Sequence, residues 1–324
     1  MPPRCSLIIP VYKNEENLAD LLAALVGLAA QRSDMEVVFV VDGSPDRCGD
    51  LLREKLPAMP FESQLIMLSR NFGSFSAIRA GLERARGEFM AVMAADLQEP
   101  PELAARFFRA LAEGDCDVVV GRRTGRHDSR VNRVLSGLYW KLYRRFIVPD
   151  IPDGGVDVFG CNRQVAKEIL ALRESNSSLV AQIFWVGYHR LVMPYERRRR
   201  EKGRSAWTLR KKISYFLDSI FSFSDLPVML FLWLGFFGVA ISFMVAMLTF
   251  IAKLSGKIEV GGFATVIVLM SFGFSVILLS QGLMGSYLWR CFENTKQRPQ
   301  SLVRRSESFD GLGKGRKMDN GQAP

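Results

Sequence analysis

Residues 226–252 and 260–289 carry no charged side chain, and no other feature limits so strongly what this chain can fold into. Each run exceeds the roughly 20 apolar residues that a helix needs to cross a bilayer, so spans are predicted over about 227–252 and 261–289. The C-terminal third therefore reads as a two-helix transmembrane hairpin. Arg210, Lys211 and Lys212 precede the first run, and Arg290, Lys296, Arg298, Arg304 and Arg305 follow the second. The connection holds only Lys253, Lys257 and Glu259, so the positive-inside rule puts both termini in the cytoplasm. Met1-Pro2-Pro3-Arg4 leads directly into a strand-like segment, and no signal peptide is expected there.

Ahead of the spans the pattern changes to short apolar runs alternating with helical periodicity. Strands are predicted at 6–11, 36–41 and 64–68, each followed by a polar turn and, after the first and third, by a helix. Leu18, Leu21, Leu22 and Leu25 recur at helical spacing, which places a helix against the sheet. Strand, polar turn and helix repeated in this way form a βαβ series, hence an α/β domain with a mostly parallel sheet and ligands at the carboxyl ends of its strands. The polar clusters fall at those ends: Pro10 to Glu15, Asp42 to Ser44, Arg70 to Gly73, and Asp96 to Gln98.

The last cluster closes the run Phe89-Met90-Ala91-Val92-Met93-Ala94-Ala95-Asp96-Leu97-Gln98-Glu99-Pro100-Pro101. An apolar strand here leads to a carboxylate and an amide two residues apart, and the prolines turn the chain out of the sheet. On an extended backbone Asp96 and Gln98 would point the same way and share one hard cation. The plain alternative is a strand closed by a polar turn. Further on, a helix over about 102–112 and a strand over 117–120 are expected, then a basic amphipathic helix over 130–148 that packs on the sheet or lies on a membrane. A strand near 158–161 and helices near 164–172 and 177–186 follow. The run 195–205 reads as a solvated charge cluster or as a phosphate-handling loop near headgroups, ahead of an interfacial helix over 206–226. From 290 onward the chain is polar and is expected to be a disordered tail.

The formal charge of +10 gathers around the spans, pointing to a membrane surface or phosphorylated ligands; no nucleic-acid signature accompanies it. Five cysteines without metal-ligand spacing imply free thiols, and His127 and His189 alone leave little material for a histidine triad or a zinc site.

In their order, Pro10-Val11-Tyr12-Lys13-Asn14-Glu15, Asp42-Gly43-Ser44, Arg70-Asn71-Phe72-Gly73, Asp96-Leu97-Gln98-Glu99-Pro100-Pro101, and Arg200 with Gly203 and Ser205 before two spans resemble the family 2 glycosyltransferases that act on polyisoprenyl phosphates. They look most like the bacterial undecaprenyl-phosphate enzymes, relatives of dolichol-phosphate mannose synthase. The resemblance covers roughly residues 6–299 and implies a GT-A type cytoplasmic domain over 1–205. It implies an inverting, metal-dependent polyisoprenyl-phosphate hexosyltransferase in the bacterial inner membrane, acting in cell-envelope glycan modification. The donor would be a nucleotide-sugar, UDP-hexose first, and the acceptor undecaprenyl phosphate. Pro10, Tyr12 and Glu15 match the turn that holds the nucleotide, with Ser44 and Arg70 beside it, and Asp42 matches a base contact. Asp96 and Gln98 match the ligands of Mg²⁺ or Mn²⁺. Arg200 and Ser205 match a phosphate-handling loop, and Asp157 matches an acidic position with a catalytic role. A homo-oligomer and a flippase partner are also implied. Val41 and Ala94 stand where the family has aspartates, and Ala206-Trp207 replaces Lys-Tyr. The alternative reading is accordingly a catalytically weakened member serving as a binding partner in such a complex. A processive synthase is disfavoured by the absence of a Gln-x-x-Arg-Trp motif, and a bare membrane anchor leaves the strand-end clusters unexplained.

Overall fold

Four parallel strands covered on both faces form the middle of the structure: β1 Cys5–Val11, β2 Met35–Val41, β3 Glu62–Leu68 and β4 Phe89–Val92, in the order β4-β1-β2-β3. The computed structural model describes residues 3–124, 140–141, 143–145, 147–152, 155–174, 177–198, 209–224, 226–255, 262–311 and 316–319. Every residue of β2 is buried, as expected of a parallel strand with helices on both sides. The period of two sends Leu7, Ile9, Val37 and Phe39 to one face, against α1 (Leu18–Gln31), α2 (Cys48–Lys55) and α4 (Pro101–Glu113). Ile8, Val38, Val40 and Ile66 go to the other face, against α3 (Ser74–Arg84) and the helices Arg163–Ala171 and Leu179–Trp185. Each such fully buried aliphatic side chain contributes about 1.5–3 kcal/mol; Leu7→Asp would place a charge in the first of these layers and undo it.

The sheet then widens on both sides. Beyond β4 come β6 (Val156–Asn162), antiparallel to it, then β5 (Val118–Thr124) and β7 (Arg190–Glu196), which pair with each other in parallel. Beyond β3 lies β8 (Val303–Phe309), antiparallel, with β9 (Arg316–Asp319) outside it. The α/β class and mostly parallel sheet expected from the sequence are thus observed. The tail is not: instead of a disordered 290–324, residues 303–309 form a strand on the open edge of β3. Phe309 enters the core at 2% exposure, and Glu307, fully buried, receives Arg53 at 3.2 Å and Arg305 at 2.5 Å. Composition misses such a strand because its buried positions include Ser306 and Glu307, and Glu307 becomes tolerable there only once two guanidiniums meet its carboxylate. Strand β7 and helix α2 are likewise additions to the expected elements, and the strand predicted at 117–120 runs on to Thr124.

Helix termini follow local rules. Pro101 opens α4 and Gly114, at φ 82°, closes it, its N–H returning to Leu111 O. Of the predicted helix 130–148, the part within the described residues packs on the sheet: Tyr143 is fully buried, within 3.3 Å of Ser178 Oγ and 3.4 Å of Ser219 Oγ. The rest of that prediction lies outside the described residues.

Three helices complete the chain, Leu209–Phe223, Leu226–Leu254 and Phe263–Thr295. Phe216, Ile220 and Phe223 of the first rest against the core. The other two are long and apolar enough to cross a membrane, and their large side chains face outward, Phe243 at 71% and Leu278 at 67% exposure. The second continues past Trp289 to bring Arg290 within 2.7 Å of Asp218, tying the end of that helix to Leu209–Phe223.

Candidate active site

Strand termini meet along one edge: the carboxyl ends of β1 to β5 and β7, and the starts of the antiparallel β6 and β8. Between β1 and β4 the strand order reverses direction, which is where open α/β sheets place their ligands. The crevice there has two differently built halves.

The first half knits together the loops after β1, β2 and β3. Lys13 adopts φ 54° and donates its amide to Ser44 Oγ at 2.8 Å. Ser44 in turn donates to Asp46 Oδ1 at 2.6 Å, while Asp46 also accepts from Glu15 N at 3.2 Å and Cys48 Sγ at 3.0 Å. Burial acts to raise the Asp46 pKa, yet the donors from Cys48, Ser44 and Glu15 prevail and hold it below the usual carboxylate range. Glu15 reciprocates by accepting Arg47 N at 3.0 Å. Gly43, at φ 54°, lies so close to the next loop that a Cβ there would fall 2.2 Å from the carbonyl carbon of Arg70. Arg70 stacks on Phe72 at 4.0 Å, and Lys13 lies over the half-buried Tyr12. Pro10 is half-buried in β1. An open depression of about 500 Å³ borders Lys13, Glu15, Asn17 and Asp46. Tyr12, Glu15, Ser44 and Arg70 thus lie on the loops that this network joins. Asp42 differs: it is 2% exposed, and its carboxylate accepts Phe72 N at 2.7 Å and Gly73 N at 2.9 Å. The carboxylate thus ties the loop after β2 to the two residues that lead into α3. Val41, where the family pattern has an acid, packs in the core at 3% exposure.

The second half gathers charge. Asp96 is half-buried past the end of β4. Leu97 adopts φ 53° and Gln98 N returns to Asp96 Oδ1 at 3.3 Å, so the extended alternation expected of Asp96 and Gln98 is replaced by a tight polar turn. Gln98 Oε1 accepts Arg197 Nη2 at 2.5 Å, and the backbones of Gln98 and Arg198 join through an N–H···O bond of 2.8 Å. Glu99 is 2% exposed, and its Oε2 has no hydrogen-bond partner among the described residues. Burial first, then the charges of Asp96 and Asp157, push its carboxyl up to about 7 against the pull of Arg197. Its carboxylate also accepts the amide of Ala94, so an acid lies beside the position where the family pattern has aspartate. Asp157 is held by Arg123 at 2.6 Å and 2.8 Å, by Tyr195 Oη at 3.1 Å, and stands 4.0 Å from Arg197. Burial and that carboxylate raise the Tyr195 pKa, so the phenol stays a donor.

Asp46, Glu99, Arg123, Tyr195 and Arg197 therefore belong to the site although none was assigned a role from the sequence. The nearest signal was position: Glu99 follows the Asp-Leu-Gln turn, and Arg197 opens the four-arginine run. Arg200 and Ser205 lie outside the described residues.

The donor set suits a hard divalent cation in one respect and limits it in another. Asp96, the unpartnered Glu99 oxygen and the Gln98 amide are all oxygen ligands. Among the described residues, however, no three His, Cys, Asp or Glu side chains are placed to hold an ion together. An ion bound there would take most of its ligands from a substrate's phosphates and water, the habit of Mg²⁺.

The sequence model of the family described as "Glycosyl transferase family 2" matches residues 6–171, a span that holds both halves of the crevice except Tyr195 and Arg197. The chain belongs to glycosyl transferase family 2. Full-length relatives within reach include CsbB of Bacillus subtilis (strain 168), 33% identical over 92% of this chain and 91% of its own. The undecaprenyl-phosphate 4-deoxy-4-formamido-L-arabinose transferase of Pseudomonas fluorescens (strain Pf0-1) is 30% identical over 93% of this chain and 90% of its own. The bactoprenol glucosyl transferase of Shigella phage SfX is 28% identical over 93% of this chain and 99% of its own. The similarity to these relatives thus runs past the family 2 domain and through the two apolar helices.

Proposed function

We propose that this family 2 glycosyltransferase moves a hexose from a nucleotide-sugar, UDP-hexose first, to undecaprenyl phosphate at the cytoplasmic face of a bacterial inner membrane, for cell-envelope glycan modification. The observation that carries the reading is the gathering of Asp96, Gln98, Glu99 and Asp157 with Arg123 and Arg197 at one end of a sheet whose chain continues into two outward-facing apolar helices. Relatives matched along nearly their whole length and named for bactoprenol or undecaprenyl phosphate support the acceptor. The basic residues on both flanks of the helix pair support cytoplasmic termini.

Transfer to a lipid phosphate is a displacement at the anomeric carbon. A phosphate oxygen forms the new C–O bond while the bond to the nucleotide diphosphate breaks with inversion. A phosphate monoester is largely dianionic at neutral pH, its second pKa being about 6, so no strong base is required, consistent with only two histidines in the chain. The loops knitted by Asp46 hold the nucleotide end, with Tyr12, Glu15, Ser44 and Arg70 around it. Asp157, bonded to Arg123 and Tyr195, acts by orienting those guanidinium and phenol donors. Asp96, with Gln98, would hold Mg²⁺ or Mn²⁺, which when bound would supply charge to offset the leaving diphosphate. Arg123 supplies fixed positive charge along the same edge, with Arg197 beside it, and Arg200 and Ser205 receive the acceptor phosphate.

A donor panel against short-chain polyprenyl phosphate in detergent, with and without Mn²⁺, tests this. Asp96→Asn should abolish metal-dependent transfer while the protein still inserts in membranes; unchanged turnover would remove Asp96 from the role. Val41 in the core and Ala94 without a carboxylate favour a second reading, a weakened member acting as a binding partner in a glycan-modification or lipid-flipping complex. Calorimetry that detects no nucleotide-sugar binding in the presence of Mn²⁺ selects that one.

A further inference from the structure

We infer that Arg197 and a divalent cation compete for the Gln98 oxygen: the guanidinium that bonds this oxygen would shift toward the Glu99–Asp157 pair when an ion is bound. The inference rests on the metal reading just given and adds a residue and a competition to it. Glu99 is 2% exposed with its Oε2 lacking a hydrogen-bond partner among the described residues, and it shares this end of the sheet with the carboxylates of Asp96 and Asp157. Such a cluster repels itself unless a positive charge enters it. Arg123 is committed to Asp157 through two short contacts. Arg197 is the cation that reaches inward, with its Nη2 on Gln98 Oε1 at 2.5 Å and its Nη1 at 4.0 Å from Asp157 Oδ2.

Sharing the Gln98 oxygen between both cations is electrostatically costly. A divalent ion ligated by that oxygen and a guanidinium bonded to it would stand only about 4 Å apart, where like charges repel strongly even under partial screening. Arg197 has a second berth within reach, since Asp157 Oδ2 is already near and Glu99 Oε2 has no partner among the described residues. The backbone bond from Arg198 N to Gln98 O, 2.8 Å, keeps the two segments joined whichever berth the side chain takes. Arg197 is therefore a positioning residue that acts through Gln98, and it sets how tightly the site takes a metal.

The test is a double-mutant cycle on the full chain in detergent, read by electron paramagnetic resonance of bound Mn²⁺ with UDP or GDP present. Arg197→Met removes the competitor and should tighten Mn²⁺ binding by about 10-fold, the scale on which groups bonded to metal ligands tune affinity. Arg197→Lys keeps the charge and should restore affinity toward that of the wild type. In a Gln98→Ala background, Arg197→Met should change Mn²⁺ affinity far less. An Arg197→Met protein that melts with the wild type and binds Mn²⁺ equally well overturns the inference and leaves the metal reading standing. An equal gain with and without Gln98 also overturns it, by making the effect general electrostatics. Wild-type protein that binds no Mn²⁺ with either nucleotide overturns the metal reading and the inference together.

Discussion

Asp42, the residue after β2, accepts the backbone amides of Phe72 at 2.7 Å and Gly73 at 2.9 Å, so the carboxylate that follows one strand fixes the turn leading into another strand's helix. Removing it leaves two amides facing a space with 2% exposure at its centre. Asp42→Ala is expected to destabilise the domain by on the order of 2 kcal/mol or more, and Asp42→Asn, which keeps one acceptor oxygen, by roughly half. Thermal unfolding of the detergent-solubilised chain measures this. Melting of both variants with the wild type would show that the carboxylate does its work elsewhere.

Gly43 carries a steric prediction. Its φ of 54° and the 2.2 Å that would separate a Cβ from the Arg70 carbonyl carbon mean that Gly43→Ala must push apart the loops after β2 and β3. The left-handed conformation alone costs about 1–2 kcal/mol for a residue with a Cβ. The larger consequence is expected in donor affinity, because Arg70 and Ser44 flank the displaced backbone. Titration calorimetry with UDP should show weakened binding, and affinity equal to the wild type's would take this loop out of the donor site.

The Asp46 carboxyl is depressed in the folded protein, so the sign of its pH effect follows. Its contribution is fully present above the unfolded value near 3.8 and is lost as pH falls through the lower folded value. The gap in melting temperature between wild type and Asp46→Asn should hold from pH 7 down to about 4 and close below that. A gap that instead opens on acidification contradicts the hydrogen-bond assignment.

Thiol labelling separates the cysteines. Cys5, Cys48, Cys116 and Cys161 are buried, and burial pushes the Cys5 thiol up to about 11 and those of Cys48 and Cys161 up to about 12. Only Cys291 is exposed. A maleimide at neutral pH should modify the native protein once, at Cys291, and all five positions after denaturation. Rapid loss of Cys48 in the native state would mean that the Asp46 knot opens readily.

Strand β8 gives the last prediction. Glu307 is buried between Arg53 and Arg305, both partly solvated, so Glu307→Ala should cost about 1–2 kcal/mol, discounted from the value for a fully buried pair. It should also raise hydrogen exchange at the β3 amides that β8 covers. Unchanged protection at Leu65 and Met67 would argue that the edge is held by backbone pairing alone.

Much of this molecule is decided by local pattern. The alternation in β1 and β2, the leucines of α1, the prolines before α4 and the two uncharged runs each select an element through the period at which apolar groups recur, a property of neighbouring residues only. The polar strand ends are legible for the same reason, because a parallel βαβ series must bring them to one edge. What only the tertiary structure decided depends on partners distant in sequence. Glu307 can be a strand residue only because Arg53 reaches it, and Asp42 anchors a turn only where Phe72 and Gly73 pass. Gln98 meets Arg197 across 99 residues, and the left-handed turn at Leu97 aims it there. A buried charge or amide has no period; it is settled by whichever group the fold places within 3 Å of it, and that placement exists only after the sheet has closed.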